Sequence, residues 1–355
     1  MKKRIRVLIC DDSALVRQTL TDIINTDPQL EVMSTAADPF FAAQKIKNEI
    51  PDVITLDIEM PRMDGLTFLK TLMAQYPIPV VIISSFTERG SDQALRALEL
   101  GAIEIVGKSE IRNTAEHIEE SRIRITDAIK AAYMAPVKRV ALNRPAQEYT
   151  PAVKNKVDYA SLHHATTTGK VIAIGASTGG TEALRFFLRN FPPGKPGIVI
   201  TQHMPAGFTR SFAENVNLIT EITVKEAEDG EPVLNSHAYI APGGKHMEVV
   251  RNGLRYCIKI CHGELVNRHK PSVDVLFNSV ARHAGKNAVG ILMTGMGKDG
   301  AEGLLHMKEA GAYTIAQDEK SCVVFGMPKE AIRINAAQQV LALQEMPKAI
   351  LEHFH

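Results

Sequence analysis

Three polar residues in the second half of the chain each stand where an apolar run gives way to small or polar residues: Ser177 after KVIAIGA, His203 after GIVITQ and Asp299 after AVGILMTGMGK. A serine hydroxyl becomes a competent nucleophile when an imidazole takes its proton, and the imidazole is held to that task by a carboxylate that fixes its tautomer and stabilises its cation. Together these are the residue types of serine acyl transfer. The local spacing Gly175-x-Ser177-x-Gly179 also fits a sharp strand-to-helix turn that pushes the serine oxygen into the open. Glycine-rich turns of this kind equally well cradle a phosphate on helix N-terminal amides. A dinucleotide site, however, wants an acid at the end of the following strand for the ribose, and Gln202-His203 stands there instead. The chain order Ser, His, Asp differs from the Ser, Asp, His order of the common esterase fold, so the G-x-S-x-G match does not assign the chain to that fold.

The first half carries a different set. Asp11 and Asp12 follow the run IRVLIC, Asp57 follows VITL, Ser84 closes PVVIIS and Lys108 closes AIEIVG. Three carboxylates brought together repel one another unless a divalent cation with oxygen ligands joins them, and Mg²⁺ suits that donor set best. A lysine opposite balances the remaining charge or meets an anion. Such a composite holds a phosphoryl group, with metal and lysine neutralising its oxygens and an aspartate available as covalent acceptor.

Both sets need elements that deliver side chains to one edge. In the first half, apolar runs near 5–10, 30–35, 52–56, 79–85 and 102–108 alternate with helical periodicity over SALVRQTLTDIINT, PFFAAQKIKNEI, TFLKTLMAQY, SDQALRALELG and AEHIEESRIRITDAIKAAYM. The strand–helix rhythm returns from Lys170. Alternation of this kind predicts parallel sheets with helices on both faces, and in such sheets ligands gather beyond the carboxyl ends of the strands at a topological switch point. The expected fold is therefore α/β with two doubly wound parallel-sheet domains, one flavodoxin-like and one Rossmann-like. Between them, residues 135–167 hold Pro136, Pro145, Pro151 and the His163-His164 pair without a sustained period, which reads as a linker. The domains expected are 1–134 and 168–355.

A chain of 355 residues with a formal net charge of +1 and no concentrated basic run gives no electrostatic footprint for nucleic acid, which counts against a DNA-binding output. The four cysteines, Cys10, Cys257, Cys261 and Cys322, lack a second ligand pair for a metal site and fit reduced thiols of a cytoplasmic protein. The start MKKRIRVLICDD is too briefly apolar for a signal peptide, and no run reaches the roughly 18 residues of a membrane span. A monomer is the starting expectation. His246 fits a histidine satisfied by backbone, Asp274 a residue that caps or buttresses the helix VLFNSVARH, and Phe208, Phe212, Met204, Met293 and Met327 fit core positions.

The first half resembles the receiver domain of two-component response regulators over about residues 1–134. The resemblance implies that Asp57 is the phosphoacceptor, that Asp11, Asp12, Asp57 and the carbonyl of Glu59 hold Mg²⁺, and that Ser84 and Lys108 engage the phosphoryl oxygens. Receivers often carry an aromatic three residues before the lysine and a proline after it, where this chain has Ile105 and Ser109. The strings GASTGG, TQHMP, YIAPGGKHM, RHKPSVDVLF, TGMGKDGAEGL and VFGMPKEA resemble the catalytic domain of the CheB chemotaxis methylesterase family. That resemblance implies hydrolysis of glutamate γ-methyl esters on chemoreceptors with release of methanol, and deamidation of receptor glutamines. It implies Ser177 as nucleophile, His203 as general base and acid, Asp299 as the residue orienting it, and the Met296 amide as oxyanion donor. Thr178 is a second oxyanion donor by the geometry of the turn. No metal is expected in the ester step. A chemotaxis histidine kinase is the implied phosphodonor, and the unphosphorylated receiver is expected to restrain the catalytic half. The alternatives from other classes are a module that sequesters receptor tails without turnover and a regulator with transcriptional output.

Overall fold

The computed structural model describes residues 3–84, 88–108, 118–137 and 169–353, and these fall in two compact units, one on either side of the 147/148 position. Ser109, the His163-His164 pair and nearly all of the expected linker lie outside the described residues.

The first unit alternates β1 (Ile5–Cys10), α1 (Ala14–Asn25), β2 (Leu30–Ala36), α2 (Pro39–Asn48), β3 (Val53–Asp57), α3 (Gly65–Gln75), β4 (Val80–Ser84), α4 (Glu88–Glu99), β5 (Glu104–Gly107) and α5 (Ile118–Met134). Its five strands pair in the order β2-β1-β3-β4-β5, all parallel. β3 and β4 are buried along their whole length, as strands covered on both faces must be, which is why they read as unbroken apolar runs. Side-chain caps set several helix starts. The Ser13 hydroxyl accepts from Val16 N at 3.4 Å, Asp38 Oδ1 from Phe41 N at 3.0 Å and Asp64 Oδ1 from Thr67 N at 2.9 Å. The Asp64 cap starts α3 at Gly65, two residues before periodicity alone places it. One core of this unit joins Val7 and Ile9 of β1 to Leu20 and Ile24 of α1 and Ile125 and Ile129 of α5.

In the second unit β6 (Val171–Ala176), α6 (Gly180–Arg189), β7 (Gly197–Gln202) and α7 (Phe208–Ile219) are followed by β8 (Thr223–Glu226), β9 (His237–Ile240) and the antiparallel pair β10 (His246–Asn252) and β11 (Arg255–Cys261). Then come α8 (Val273–His283), β12 (Ala288–Leu292), α9 (Ala301–Glu309), β13 (Tyr313–Gln317), α10 (Met327–Arg333), β14 (Gln339–Leu341) and α11 (Met346–His353). Seven strands form a parallel sheet in the order β14-β13-β12-β6-β7-β9-β8. The first strand, β6, lies in the middle, and the chain builds outward first on one side and then on the other. The switch point is therefore at β6, between β12 and β7. α8 inserts Leu276, Phe277 and Val280 into a core with Tyr239, Val249 and Met307. Burial of side chains of that size is worth about 1.5–3 kcal/mol each. Phe208, Phe212, Met204, Met293 and Met327 are all buried, as core positions. Among the described residues no helix is long and apolar enough to cross a membrane.

Candidate functional site

In the first unit the order β2-β1-β3 puts the switch point between β1 and β3, and the acids stand there. Asp11 and Asp12 follow β1, Asp57 ends β3, and one carboxylate oxygen from each lies within 4.8 Å of the others. Lys108, just past β5, reaches across to Asp57 Oδ2 at 2.6 Å and Asp11 Oδ2 at 3.2 Å. Burial pushes Asp57 up to about 6, with the Asp11 charge adding to it against the pull of Lys108. Burial works to lower Lys108, yet its bonds and charge contacts to Asp57 and Asp11 hold it above the ordinary lysine value.

The residues fit a divalent cation. All three donors are hard oxygens, and Asp11 Oδ2 is buried 3.2 Å from Lys108 Nζ beside the other two carboxylates and completes no hydrogen bond among the described residues. Asp57 Oδ1 accepts from Glu59 N at 3.2 Å, which fixes the backbone around Glu59 against the same carboxylate. Ser84, buried at the end of β4, donates to the Gly90 carbonyl at 3.2 Å, so its hydroxyl is held by α4.

In the second unit Ser177, His203 and Asp299 follow the carboxyl ends of β6, β7 and β12, the three strands at the centre of the sheet. Ala176 and Gln202 are direct partners in the ladder, and His203 N donates to Ala176 O at 3.1 Å. Ser177 and His203 thus leave adjacent strands side by side. The turn at Ser177 is closed by Gly180 N donating to Ser177 O at 2.7 Å, with Gly179 at φ +77° capping α6. From the other side Ser177 N donates to Thr294 O at 3.0 Å. The TGMG segment then passes so close that a Cβ on Gly295 would fall 2.7 Å from Ser177 Cβ. Met296 follows at once, half-buried, and among the described residues its N–H enters no hydrogen bond. Thr178 is buried beside Ser177, and its carbonyl accepts from Thr294 Oγ1 at 2.9 Å.

His203 meets Asp299 through Nε2, 2.8 Å from Oδ2. Its other nitrogen, Nδ1, is buried and has no hydrogen-bond partner among the described residues. Asp299 accepts besides from Ser272 Oγ at 2.7 Å, Asn267 Nδ2 at 2.8 Å, Val273 N at 2.6 Å and Asp274 N at 3.3 Å. Those amides open α8, so the carboxylate sits at a helix N-terminus where partial positive charge favours it. Burial alone works against its charge, but His203 and these donors hold Asp299 well below the usual carboxylate range. An ionised acceptor facing Nε2 fixes the proton there and leaves Nδ1 as the base.

Around the triad the expected roles of Asp274 and His246 hold, whereas the contacts of Ser272, Asn267 and His269 were not foreseen. Ser272 occupies the N-cap position of α8, but its hydroxyl serves Asp299, and the cap is Asp299 itself, brought from beyond β12. Asp274 is a buttress: Oδ1 accepts from Gly303 N in α9 at 2.6 Å and Oδ2 from Asn267 Nδ2 at 2.5 Å. Burial and then the Asp299 charge push it up to about 6. His246 opens β10 as a buried residue, with Nδ1 accepting from Ser272 N at 3.2 Å and Nε2 therefore donating to Glu264 O at 2.8 Å. His269 stacks on His203, ring centroids 3.7 Å apart and planes 12° from parallel. Nothing in the spacing of His269 or Asn267 announces either contact.

The family model described as CheB methylesterase matches residues 172–350, and the one described as response regulator receiver domain matches residues 7–119. A relative from Geobacter metallireducens named protein-glutamate methylesterase/protein-glutamine glutaminase 3 is 54% identical over 98% of this chain and 99% of its own length. A second, from Rhodopseudomonas palustris and named protein-glutamate methylesterase/protein-glutamine glutaminase of group 3 operon, is 55% identical over 99% of this chain and 96% of its own. Among solved structures, the CheB methylesterase catalytic domain of Thermotoga maritima is similar with a TM-score of 0.51 at 39% identity, covering 52% of this chain and 98% of that one.

Proposed function

This chain belongs to the CheB methylesterase family, and from that premise we propose that it is a protein-glutamate methylesterase and protein-glutamine glutaminase whose reacting groups are Ser177, His203 and Asp299. The observation that carries the assignment is the buried, unpartnered Nδ1 of His203. An acceptor left without a hydrogen bond in the interior costs about 1–3 kcal/mol, and its use as a base on the strand next to Ser177 accounts for it.

Ser177 Oγ attacks the ester carbonyl carbon while its proton passes to His203 Nδ1. Asp299 stabilises the resulting imidazolium through Nε2. The oxyanion is held by the backbone N–H groups of Met296 and Thr178. His203 returns the proton to the departing methoxy oxygen, methanol leaves, and a glutamyl ester on Ser177 remains. Water, deprotonated by His203 Nδ1, then cleaves that ester and restores the hydroxyl. With a glutamine substrate the same steps release ammonia in place of methanol.

In the other unit Asp57 is the phosphoacceptor, and Asp11, Asp12, Asp57 and the Glu59 carbonyl would hold Mg²⁺, which neutralises charge on the phosphoryl oxygens when bound. Lys108 pairs with the same oxygens, and Ser84 leaves the Gly90 carbonyl to bond one of them. The domains run over 1–134 and 168–355 with a linker at 135–167, a division supported by the two matched segments and the two compact units. The partners are chemoreceptors as substrates, on their cytoplasmic helices, and a chemotaxis histidine kinase as phosphodonor, which places the chain in the cytoplasm.

Phosphorylation acts by shifting a two-state equilibrium, so its effect equals its differential interaction with the two states. Full-length chain given a small-molecule phosphodonor and Mg²⁺ is expected to release methanol from methylated receptor membranes roughly 5- to 150-fold faster than without, a coupling of about 1–3 kcal/mol. Asp57→Asn removes the response and leaves the basal rate. An unresponsive wild type, or an equal response in the variant, would overturn the regulatory role of Asp57.

A further inference from the structure

Between β11 and α8 the segment Val266–His269 folds back on itself. Val266 N donates to His269 O at 3.1 Å and His269 N to Val266 O at 2.9 Å, and the two residues form an antiparallel bridge. Both central residues are left-handed, Asn267 at φ 51° and Arg268 at φ 68°. A two-residue loop with both central residues left-handed is normally built with glycine, most often as Asn-Gly. Here an arginine occupies the second position. A non-glycine residue held in this region is strained, and such strain persists where the surrounding structure over-determines it.

What the turn delivers gives that strain a reason. Asn267 places its Nδ2 2.8 Å from Asp299 Oδ1 and 2.5 Å from Asp274 Oδ2. Facing two carboxylates, the amide must present its NH₂ and not its oxygen, so one group ties both acids together. Two residues on, His269 lays its ring flat against His203. One tight turn therefore touches both members of the proton-carrying pair. The ring of His203 has a single bond to Asp299 and no partner at Nδ1, so a hinge about the Nε2 contact is open to it. A face pressed at 3.7 Å removes that freedom.

We propose that Val266–His269 is the positioning element of the catalytic pair, with Asn267 fixing Asp299 and the ring of His269 fixing the plane of His203 so that Nδ1 is aimed at Ser177. The proposal rests on the assignment of Ser177, His203 and Asp299 made above. His269 acts through the flat face of its ring, and Asn267 through its amide. Neither touches the reacting carbonyl, so loss of either lowers kcat and spares KM.

The test is methanol release from methylated receptor membranes by the full-length chain with phosphodonor and Mg²⁺. His269→Ala is expected to lower kcat about 10- to 100-fold, with KM within about twofold of wild type. His269→Phe keeps a flat ring and is expected to recover most of that loss. Asn267→Gly retains the left-handed backbone without the amide and is expected to lower kcat about 10-fold. A wild-type kcat in His269→Ala, a His269→Phe as slow as His269→Ala, or losses confined to KM would each overturn the proposal. Should His269→Ala not fold, the other two decide: a fast His269→Phe with a slow Asn267→Gly supports it, and a slow His269→Phe or a full-rate Asn267→Gly overturns it. Ser177→Ala run in parallel separates the two levels. An inactive Ser177→Ala beside a full-rate His269→Ala overturns the positioning role alone, whereas turnover by Ser177→Ala overturns the triad with it.

Discussion

Ser177→Ala in the full-length chain is expected to lower methanol release by roughly 10⁴- to 10⁶-fold while phosphoryl uptake at Asp57 stays at the wild-type level. The hydroxyl oxygen is the only heavy atom removed. Ser177 is held by its backbone, through Gly180 N on its carbonyl and its own N–H on Thr294 O, and Gln202 Nε2 donates to the same carbonyl at 3.0 Å. None of these bonds involves Oγ, so the turn and the sheet persist in the variant. The residues proposed for phosphoryl uptake, Asp11, Asp12, Asp57 and Lys108, belong to the other unit. The two activities should therefore separate completely. Methanol by gas chromatography and acyl-phosphate by intact mass, on one preparation, check both halves of this expectation. Residual turnover above about 10⁻² of wild type would show that another group can attack.

Asp299→Asn is expected to lower kcat about 10⁴-fold with little change in KM. Five donors converge on this carboxylate: His203 Nε2, Asn267 Nδ2, Ser272 Oγ and the amides of Val273 and Asp274. A carboxamide has one acceptor oxygen and must turn its NH₂ toward some of them. If the oxygen takes the place of Oδ1, it keeps Asn267 Nδ2, Ser272 Oγ and Asp274 N, and the NH₂ faces Val273 N and Nε2, which then has to accept, so that the ring proton moves to Nδ1. His203 would present Ser177 with a donor where a base is needed. If the oxygen takes the place of Oδ2, it keeps Nε2 and Val273 N, and Asn267 Nδ2, Ser272 Oγ and Asp274 N lose their acceptor. The loss is therefore one of tautomer or of anchoring, and substrate contacts are spared in both. Steady-state kinetics with the phosphorylated chain give the kcat and KM split. The tautomer is read from imidazole ¹⁵N shifts, with Nε2 protonated in wild type and Nδ1 in the variant.

The placement of the proposed reacting groups at the carboxyl edges of the sheets was legible because each follows an apolar run. Asp11, Asp57, Ser177 and His203 stand at strand ends in parallel sheets, with Asp299 in the loop that follows β12, and a strand buried on both faces writes itself as consecutive Val, Ile, Leu and Ala. The parts that hold those groups in place were not legible. β10 and β11 carried a signal at Gly253, flanked by alternating residues, and Gly253-Leu254 forms the two-residue loop with the glycine at φ 61°. The turn at Asn267-Arg268 carries none, since an arginine there argues against the backbone it adopts. Asp274 reads as a residue that caps or buttresses α8; it buttresses, and the carboxylate that performs the capping is Asp299, which is distant in sequence and arrives only through the fold. Periodicity reports which face of an element is buried, and it is silent on which loop residues meet across the end of a sheet. The stacked pair His203 and His269 is of that second kind.

The central claim is that Ser177 is acylated by the substrate's glutamyl carbonyl. The most direct test is to mix phosphorylated full-length chain with methylated receptor fragment, quench in acid within the first turnover and map the covalent adduct by peptide mass spectrometry. An ester-linked receptor peptide on Ser177, absent from Ser177→Ala and accumulating when the water step is slowed, is the result the triad predicts. An adduct on any other residue, or full methanol release with Ser177 unmodified at every quench time, would contradict it.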